Sequence, residues 1–367
     1  MQSFSSQSFV SLKRRHVFCC VFFFAVVAGT TGCNHTSGSS QGNSAWVSAP
    51  EGVLRDRVAT VYNKTGMVRN GERVQVLEKM QKKPFVRVRS ARGEEGWIQE
   101  RFLVDQTTFD QLSQLAEHFR AVPSQATAVI RSQANLHVTP GRKTDHLYLV
   151  NENDKVDLIA RQVADRNATA QTAQKDAASD ASASDEPAEP DAKPGPAPVL
   201  EDWWLVRDSQ KRIGWVRGHV LYVDVPIDIA QYAEGQRIVA FFKLNDVDDH
   251  GKNVPEYLVL LTENKDGLLY DFDQVRTFVW NTRHHRYEGG YRDRHLFGVL
   301  PAEVGSETFP GEGTLRTFVL RFKDDSGAIH EQKYKYKPPR VQRVLAPGEQ
   351  TTTPRAPRTP RKKKRRR

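Results

Sequence analysis

Sulfur is scarce in this chain: 367 residues hold three cysteines and three methionines. The cysteines are Cys19, Cys20 and Cys33, so no disulfide framework, thiolate metal site or cysteine nucleophile can be built beyond residue 33. No apolar run reaches the ~20 residues that a membrane-crossing helix needs; the longest spans residues 17–29. The phosphate-cradling Gly-x-x-x-x-Gly-Lys-[Ser/Thr] loop and the His-Glu-x-x-His zinc helix are absent, and no strand–turn–helix serine elbow appears. Carboxylates are plentiful but nothing in the spacing pairs them. No catalytic residue can be named, and no cofactor is expected. Basic charge is lacking where a nucleic-acid binder would carry it. The net +10 divides into nine Lys/Arg in residues 351–367 and three in residues 1–16, leaving −2 between them. A uniformly basic nucleic-acid surface is thereby excluded.

What remains is a length of two or three domains and 38% hydrophobic residues, enough for real cores over part of the chain. Lys13, Arg14 and Arg15 precede the apolar run, and Thr30, Thr31 and Gly32 follow it. A basic region, a short apolar region and small residues before a cleavage point make a secretory signal. An uncleaved membrane helix is the alternative, and the shortness of the run opposes it. Cys33 directly after Gly32 resembles the lipobox of bacterial lipoproteins, although Thr30 stands where that family usually has Leu. The resemblance implies a signal peptide over 1–32, lipid (palmitate-type) attachment at Cys33 and a tether over 33–47. With Asn34 rather than Asp next to the lipid, it implies a lipid-anchored envelope protein on the periplasmic face of the outer membrane.

Short β-rich runs follow, at 58–62, 73–77, 85–89 and 96–98, punctuated by turn residues at 64–66, 70–71 and 92–93. A second segment repeats them. Residues 156–159 answer 74–77, 203–207 answer 85–89, and 214–216 answer 96–98, with 85–103 and 203–221 aligning without a gap. The GERVQV, FVRV and GWI strings of the first copy, and DKVDL, WLV and GWV in the second, resemble the bacterial SH3 (SH3b) family. That resemblance implies small barrels over 48–104 and 125–224 that bind peptide or peptidoglycan. The second copy carries an insertion over about 164–200, rich in Ala, Asp, Ser and Pro, with three basic and seven acidic residues. It cannot bury a core and is expected to be disordered.

Between the copies, Phe109, Leu112, Leu115 and Phe119 fall at helical spacing before Pro123, predicting a packing helix within a 105–124 connector. A third β-rich unit is predicted over 237–340, with strands at 238–242, 257–261, 275–280, 315–322 and 331–336. Its tract 278–301 resembles the domain that follows SH3b domains in some acidobacterial-type lipoproteins. The fold class is therefore all-β: two SH3-like barrels and a β-rich C-terminal domain, with a disordered insertion and a disordered basic tail over 341–367.

Candidate ligand residues are few. Trp97 and Trp215 read as core aromatics. Trp203 and Trp204 are adjacent on a strand, so one should face outward, with Arg207 or Arg217 beside it. Tyr287, Tyr291 and Arg292 form, with Arg286 and Arg294, the densest Arg/Tyr cluster outside the tail, and a surface hairpin has the same composition. Residues 245–251 resemble the start of a calcium loop, with Asp246, Asp248 and Glu256 as oxygen ligands. His250 at a ligand position and Tyr257 at the twelfth favour a solvated turn instead. His284 and His285 are neighbours, which only a loop could turn toward one ion. The whole suggests a non-enzymatic envelope lipoprotein that binds peptidoglycan or an envelope protein through its barrels, its basic tail touching an anionic surface. The rivals are an envelope hydrolase with its site in 237–340, and a structural or assembly lipoprotein.

Overall fold

The computed structural model describes residues 44–58, 63–167 and 198–345, and nearly all of their regular structure is strand. The first sheet comprises β1 (Ser44–Val47), β2 (Glu51–Arg55), β3 (Lys64–Arg69), β4 (Arg73–Lys79), β5 (Phe85–Arg89), β6 (Glu95–Gln99) and β7 (Leu103–Asp105). They lie in the order β3-β2-β6-β5-β4-β1-β7. The second comprises β8 (Ala126–Ile130), β9 (Ala134–His137), β10 (His146–Val150), β11 (Lys155–Asp165), β12 (Leu200–Arg207), β13 (Ile213–Arg217) and β14 (Leu221–Val223), in the order β10-β9-β13-β12-β11-β8-β14. The two orders match position for position. A single 3-10 turn precedes the last strand of each, at Glu100–Phe102 and Gly218–Val220. The repeat therefore runs through all seven strands, well beyond its sequence signals.

Several predicted boundaries move. Residue 58 lies outside any strand, and 59–62 lie outside the described residues. Residues 64–66, read as a turn, open β3; Gly66 is required there because a Cβ would lie 2.8 Å from the Glu94 side chain, which crosses it. Residues 44–47, read as tether, form β1 and bury Ala45 and Val47. Strand β11 runs on to Asp165 and pairs with β12 back to Leu200, so the insertion leaves from the far end of a hairpin. Its residues 168–197 lie outside the described residues.

Helix α1 (Gln106–His118) begins where the Asp105 side chain accepts the Thr108 N–H at 3.0 Å, an ordinary N-cap that satisfies one orphan donor. The helix touches both barrels. Phe109 stacks on Trp46 of β1 at 3.9 Å between ring centroids. Leu115, Ala116 and Phe119 cover Ile159, Trp203, Leu205 and Trp215 on the second barrel. The barrels also meet directly at Asn70. Its Nδ2 donates to the Leu147 carbonyl at 2.7 Å and to the Ser48 carbonyl at 2.9 Å, while its Oδ1 accepts the Leu149 N–H at 3.0 Å. Asn70→Ala removes the side-chain partner of both β10 groups and should cost about 1–2 kcal/mol. A drop in the thermal midpoint of the full chain checks this; an unchanged midpoint rejects Asn70 as the clasp.

The third sheet follows chain order: β15 (Arg237–Asp249), β16 (Lys252–Thr262), β17 (Phe272–Asn281), β18 (Arg286–Phe309), β19 (Gly313–Lys323), β20 (Ile329–Lys337) and β21 (Arg340–Val344). Strand β18 is not predicted by sequence patterning, because Gly and Pro interrupt its alternation. Gly298 is needed there, since a Cβ would come 2.2 Å from the fully buried Phe272 ring. Residues 341–344, read as tail, belong to β21.

The first barrel has its own small core, Ala45, Val47, Leu54, Val68, Val74, Val86, Val88 and Ile98. The second barrel and the third sheet share one. Trp204, Val206 and Val216 of the barrel join Leu260, Phe272 and Phe318 of the sheet in a single cluster. The fully buried Gln125 amide bridges them, its Oε1 accepting the Ala302 N–H at 2.7 Å and its Nε2 donating to the Ala302 carbonyl at 3.2 Å. Sequence patterning predicts separate units over 125–224 and 237–340; the shared core joins them.

Candidate functional site

Both tryptophans predicted to offer an outward ring are buried, Trp203 at 1% and Trp204 at 4% exposure. Alternation does send them to opposite faces, but each face is covered. Trp204 enters the core shared with the third sheet, and Trp203 lies under α1. Arg207 closes the C-terminal end of that helical segment, donating to the carbonyls of Phe119 at 2.7 Å and Val122 at 3.2 Å. Arg217 is half-buried beside His219. Trp215 is buried under α1, whereas Trp97, its counterpart in the first barrel, is half-buried and pairs across the sheet with Arg87 and Arg55. The substitution of Leu205 by Arg87 at the matched position marks the difference: one face meets a helix and the other meets solvent.

The Arg/Tyr cluster divides. Tyr287 is buried, donates to the Pro255 carbonyl at 3.0 Å, and packs with Tyr257 and Phe278. Tyr291 packs on the opposite side, against the shared core, after a register shift between Thr277 and Phe278. Burial pushes both phenols well above the ordinary tyrosine range. Arg292 bonds Gln274 at 2.7 Å and Glu234 at 3.2 Å. The three do not share a binding face.

The acidic turn makes no calcium loop. Residues 237–249 and 252–262 form one hairpin in which Asn245 faces Glu256 and Asp246 faces Pro255. Asp246 and Asp248 therefore project from one face of the hairpin and Glu256 from the other. Asp246 pairs with Lys243 at 2.7 Å, and Asp248 accepts the Gly251 N–H at 2.8 Å. Glu256 is buried, accepting from the Tyr336 hydroxyl at 2.9 Å and the Trp280 N–H at 3.3 Å. Cys33 and the basic residues 351–367 lie outside the described residues.

Among the concavities of the described residues is a cleft of about 500 Å³ where the second barrel meets the third sheet. Leu158, Trp204, Val225 and Ile238 line it with apolar surface, and Arg131, His219, Tyr222, Gln236, Arg237, Asn264 and Asp266 supply polar groups. Arg131 lies over the Tyr222 ring at 5.4 Å from its centroid, and that ring is half exposed, at 51%. Arg237 is held rigidly by Asp202 at 2.7 Å and Asp266 at 2.9 Å. Partial desolvation, helped by the Arg217 guanidinium, lowers the His219 pKa. An apolar floor with an exposed cation, an aromatic face and a carboxylate at the rim suits a ligand with a nonpolar body and both carboxylate and amine groups. Nothing local announces this cleft in the sequence, because its residues come from several segments spread between positions 131 and 266.

Residues 54–104, within the first barrel, match the bacterial SH3 domain family. No curated protein matches the chain. Among solved structures, an NlpC/P60 family protein from Bacillus cereus is similar at 10% identity and a TM-score of 0.21, the match covering 69% of this chain and 99% of that one. NlpC2 from Trichomonas vaginalis is similar at 12% identity and a TM-score of 0.15, covering 79% of this chain and 91% of that one. Likeness at this level carries nothing about activity. The described residues thus define a β protein containing a bacterial SH3 domain, followed by a second barrel of the same strand order.

Proposed function

We propose that the protein is a cell-wall-binding protein of the bacterial envelope, taking the peptide part of peptidoglycan in the cleft between its second barrel and third sheet. The observation that carries this reading is the bacterial SH3 match over residues 54–104, joined to the second barrel of identical strand order that forms one wall of the cleft. Arg131 would pair with a stem-peptide carboxylate, Tyr222 would stack on the peptide, and Asp266 would receive an amine. Lipidation at Cys33 would hold the chain at the membrane, and residues 351–367 would add a salt-sensitive contact with an anionic surface.

Sedimentation of the full chain with insoluble peptidoglycan tests this. Arg131→Ala and Tyr222→Ala change exposed groups and should each lower affinity about tenfold, the equivalent of ~1.4 kcal/mol, without altering the thermal midpoint. Unchanged co-sedimentation in both would remove the cleft from the proposal. Retention lost only on deleting 351–367 would transfer binding to the tail. Release of soluble muropeptides would promote the hydrolase instead. A clickable fatty acid should label the wild type and not Cys33→Ser; persistent label would refute anchoring there.

A further inference from the structure

We propose a divalent transition-metal site, suited to Zn²⁺, at the paired hairpin tips of the third sheet, formed by Asp249, His250 and His285. None of these residues lines the cleft, and Asp249 and His250 close the acidic turn without being among its calcium-loop oxygen candidates Asp246, Asp248 and Glu256. Asp249 ends β15, His250 occupies the β15–β16 turn, and His285 ends the β17–β18 loop. One potential ligand atom from each lies within 4.8 Å of the other two. His285 Nδ1 lies 2.7 Å from Asp249 Oδ2, and His250 Nε2 lies 3.9 Å from Asp249 Oδ1. Nitrogen and oxygen ligands about 2 Å from a tetrahedral zinc stand roughly 3.3 Å apart. The two observed separations straddle that value, so small side-chain rotations admit an ion, and water can complete the fourth position.

Two further observations distinguish this from an incidental surface cluster. Both histidines have positive φ, 56° at His250 and 47° at His285, at turn positions where hairpins ordinarily place Gly, Asn or Asp. The left-handed turn conformation, which histidine adopts more readily than most non-glycine residues, turns both imidazoles toward one carboxylate. That carboxylate is also fixed. Asp249 is 8% exposed along its side chain and accepts the Trp280 indole N–H at 2.9 Å, the kind of supporting bond that orients a metal-binding carboxylate. His285 and His250 are exposed, so an ion has access. Two imidazoles with one carboxylate favour Zn²⁺ and neighbouring first-row ions over the hard cations Ca²⁺ and Mg²⁺. His284, next in the chain, turns instead to Asn281 and Glu288 at 3.2 and 3.4 Å and serves as an internal control.

The test is calorimetric titration of Zn²⁺ into the full chain with Cys19, Cys20 and Cys33 replaced by Ser, so that thiols cannot compete. A one-to-one binding step is expected, weakened about tenfold or more by His250→Ala, His285→Ala or Asp249→Asn and left within about twofold by His284→Ala. Ca²⁺ should give no such step. Because the two histidines sit at exposed tips, far-UV circular dichroism of the variants should match the parent, which separates ligand loss from misfolding. Absence of a Zn²⁺ step in the parent overturns the site. So does equal affinity in the three variants, or an equal loss in His284→Ala.

Discussion

Replacing Asp202 by Ala is expected to destabilise the second barrel and the third sheet together, by about 3–5 kcal/mol. Asp202 is buried at 2% exposure. Its Oδ1 accepts from the Arg161 guanidinium at 2.6 Å and from the Gly267 N–H at 2.9 Å, while Oδ2 accepts from Arg237 at 2.7 Å. Arg161 is itself 4% exposed along its side chain, and also donates to the carbonyls of Leu268 and Tyr270 and to Asp271 at 3.1 Å. Truncation leaves two guanidinium groups facing a void, with Asp271 as the remaining carboxylate for Arg161. The cost comes from the stranded charge rather than from the attraction lost. Since barrel and sheet share one hydrophobic core, they should unfold in a single denaturant transition shifted to lower urea. Two separate transitions for 125–223 and 237–344, or a shift below about 1 kcal/mol, would contradict the shared core and the role assigned to Asp202.

Acid should weaken the second barrel through His137. This imidazole packs edge-on against Trp203 at 5.2 Å and shares Nδ1 with the Thr144 hydroxyl at 3.0 Å. Burial, then the neighbouring His146, depress its pKa from 6.5 to about 4. The folded state therefore favours the neutral ring, and the unfolded chain binds the proton more readily. Stability from this group is complete above pH 6.5 and falls as pH drops toward 4, a window set by the two pKa values. At ~1.4 kcal/mol for each pKa unit the loss approaches about 3 kcal/mol. Urea midpoints between pH 7 and 4 should fall more steeply in the wild type than in His137→Gln. Parallel slopes in the two proteins would show that His137 carries none of the acid sensitivity.

The parts legible in the sequence were those whose physical cause is local. Period-two alternation and the matched Gly-Trp-hydrophobe signals at 96–98 and 214–216 identified strands and the repeat. Spacing of Phe109, Leu112, Leu115 and Phe119 identified α1. Strands β8 to β10 were missed because Ala and His dilute their signal, and β18 because Gly298 and Pro301 look like breaks. Gly298 makes room for the Phe272 ring, and no local pattern reveals that need. Site residues fared worse. Trp203 and Trp204 do point to opposite faces, yet exposure depends on what covers each face, and the covers are α1 and a sheet more than thirty residues away. Tyr287 and Tyr291 fell on opposite sides of one strand through a bulge that composition does not mark. His250 and His285 stand 35 positions apart in the chain, and only the register of adjacent hairpins brings them to one carboxylate.

The sequence by itself determined the all-β character, the repeated strand signals, the placement of every cysteine at or before residue 33, and a +10 charge concentrated at the two ends. Each follows from composition or short-range periodicity, which need no knowledge of partners. Tertiary structure alone decided which barrel face meets solvent, that the second barrel and the third sheet form one core, and where Arg131 and Tyr222 meet Asn264 and Asp266 across a cleft. Those outcomes depend on contacts between segments far apart in the chain, whose side chains are selected for one another and carry no local mark of the pairing.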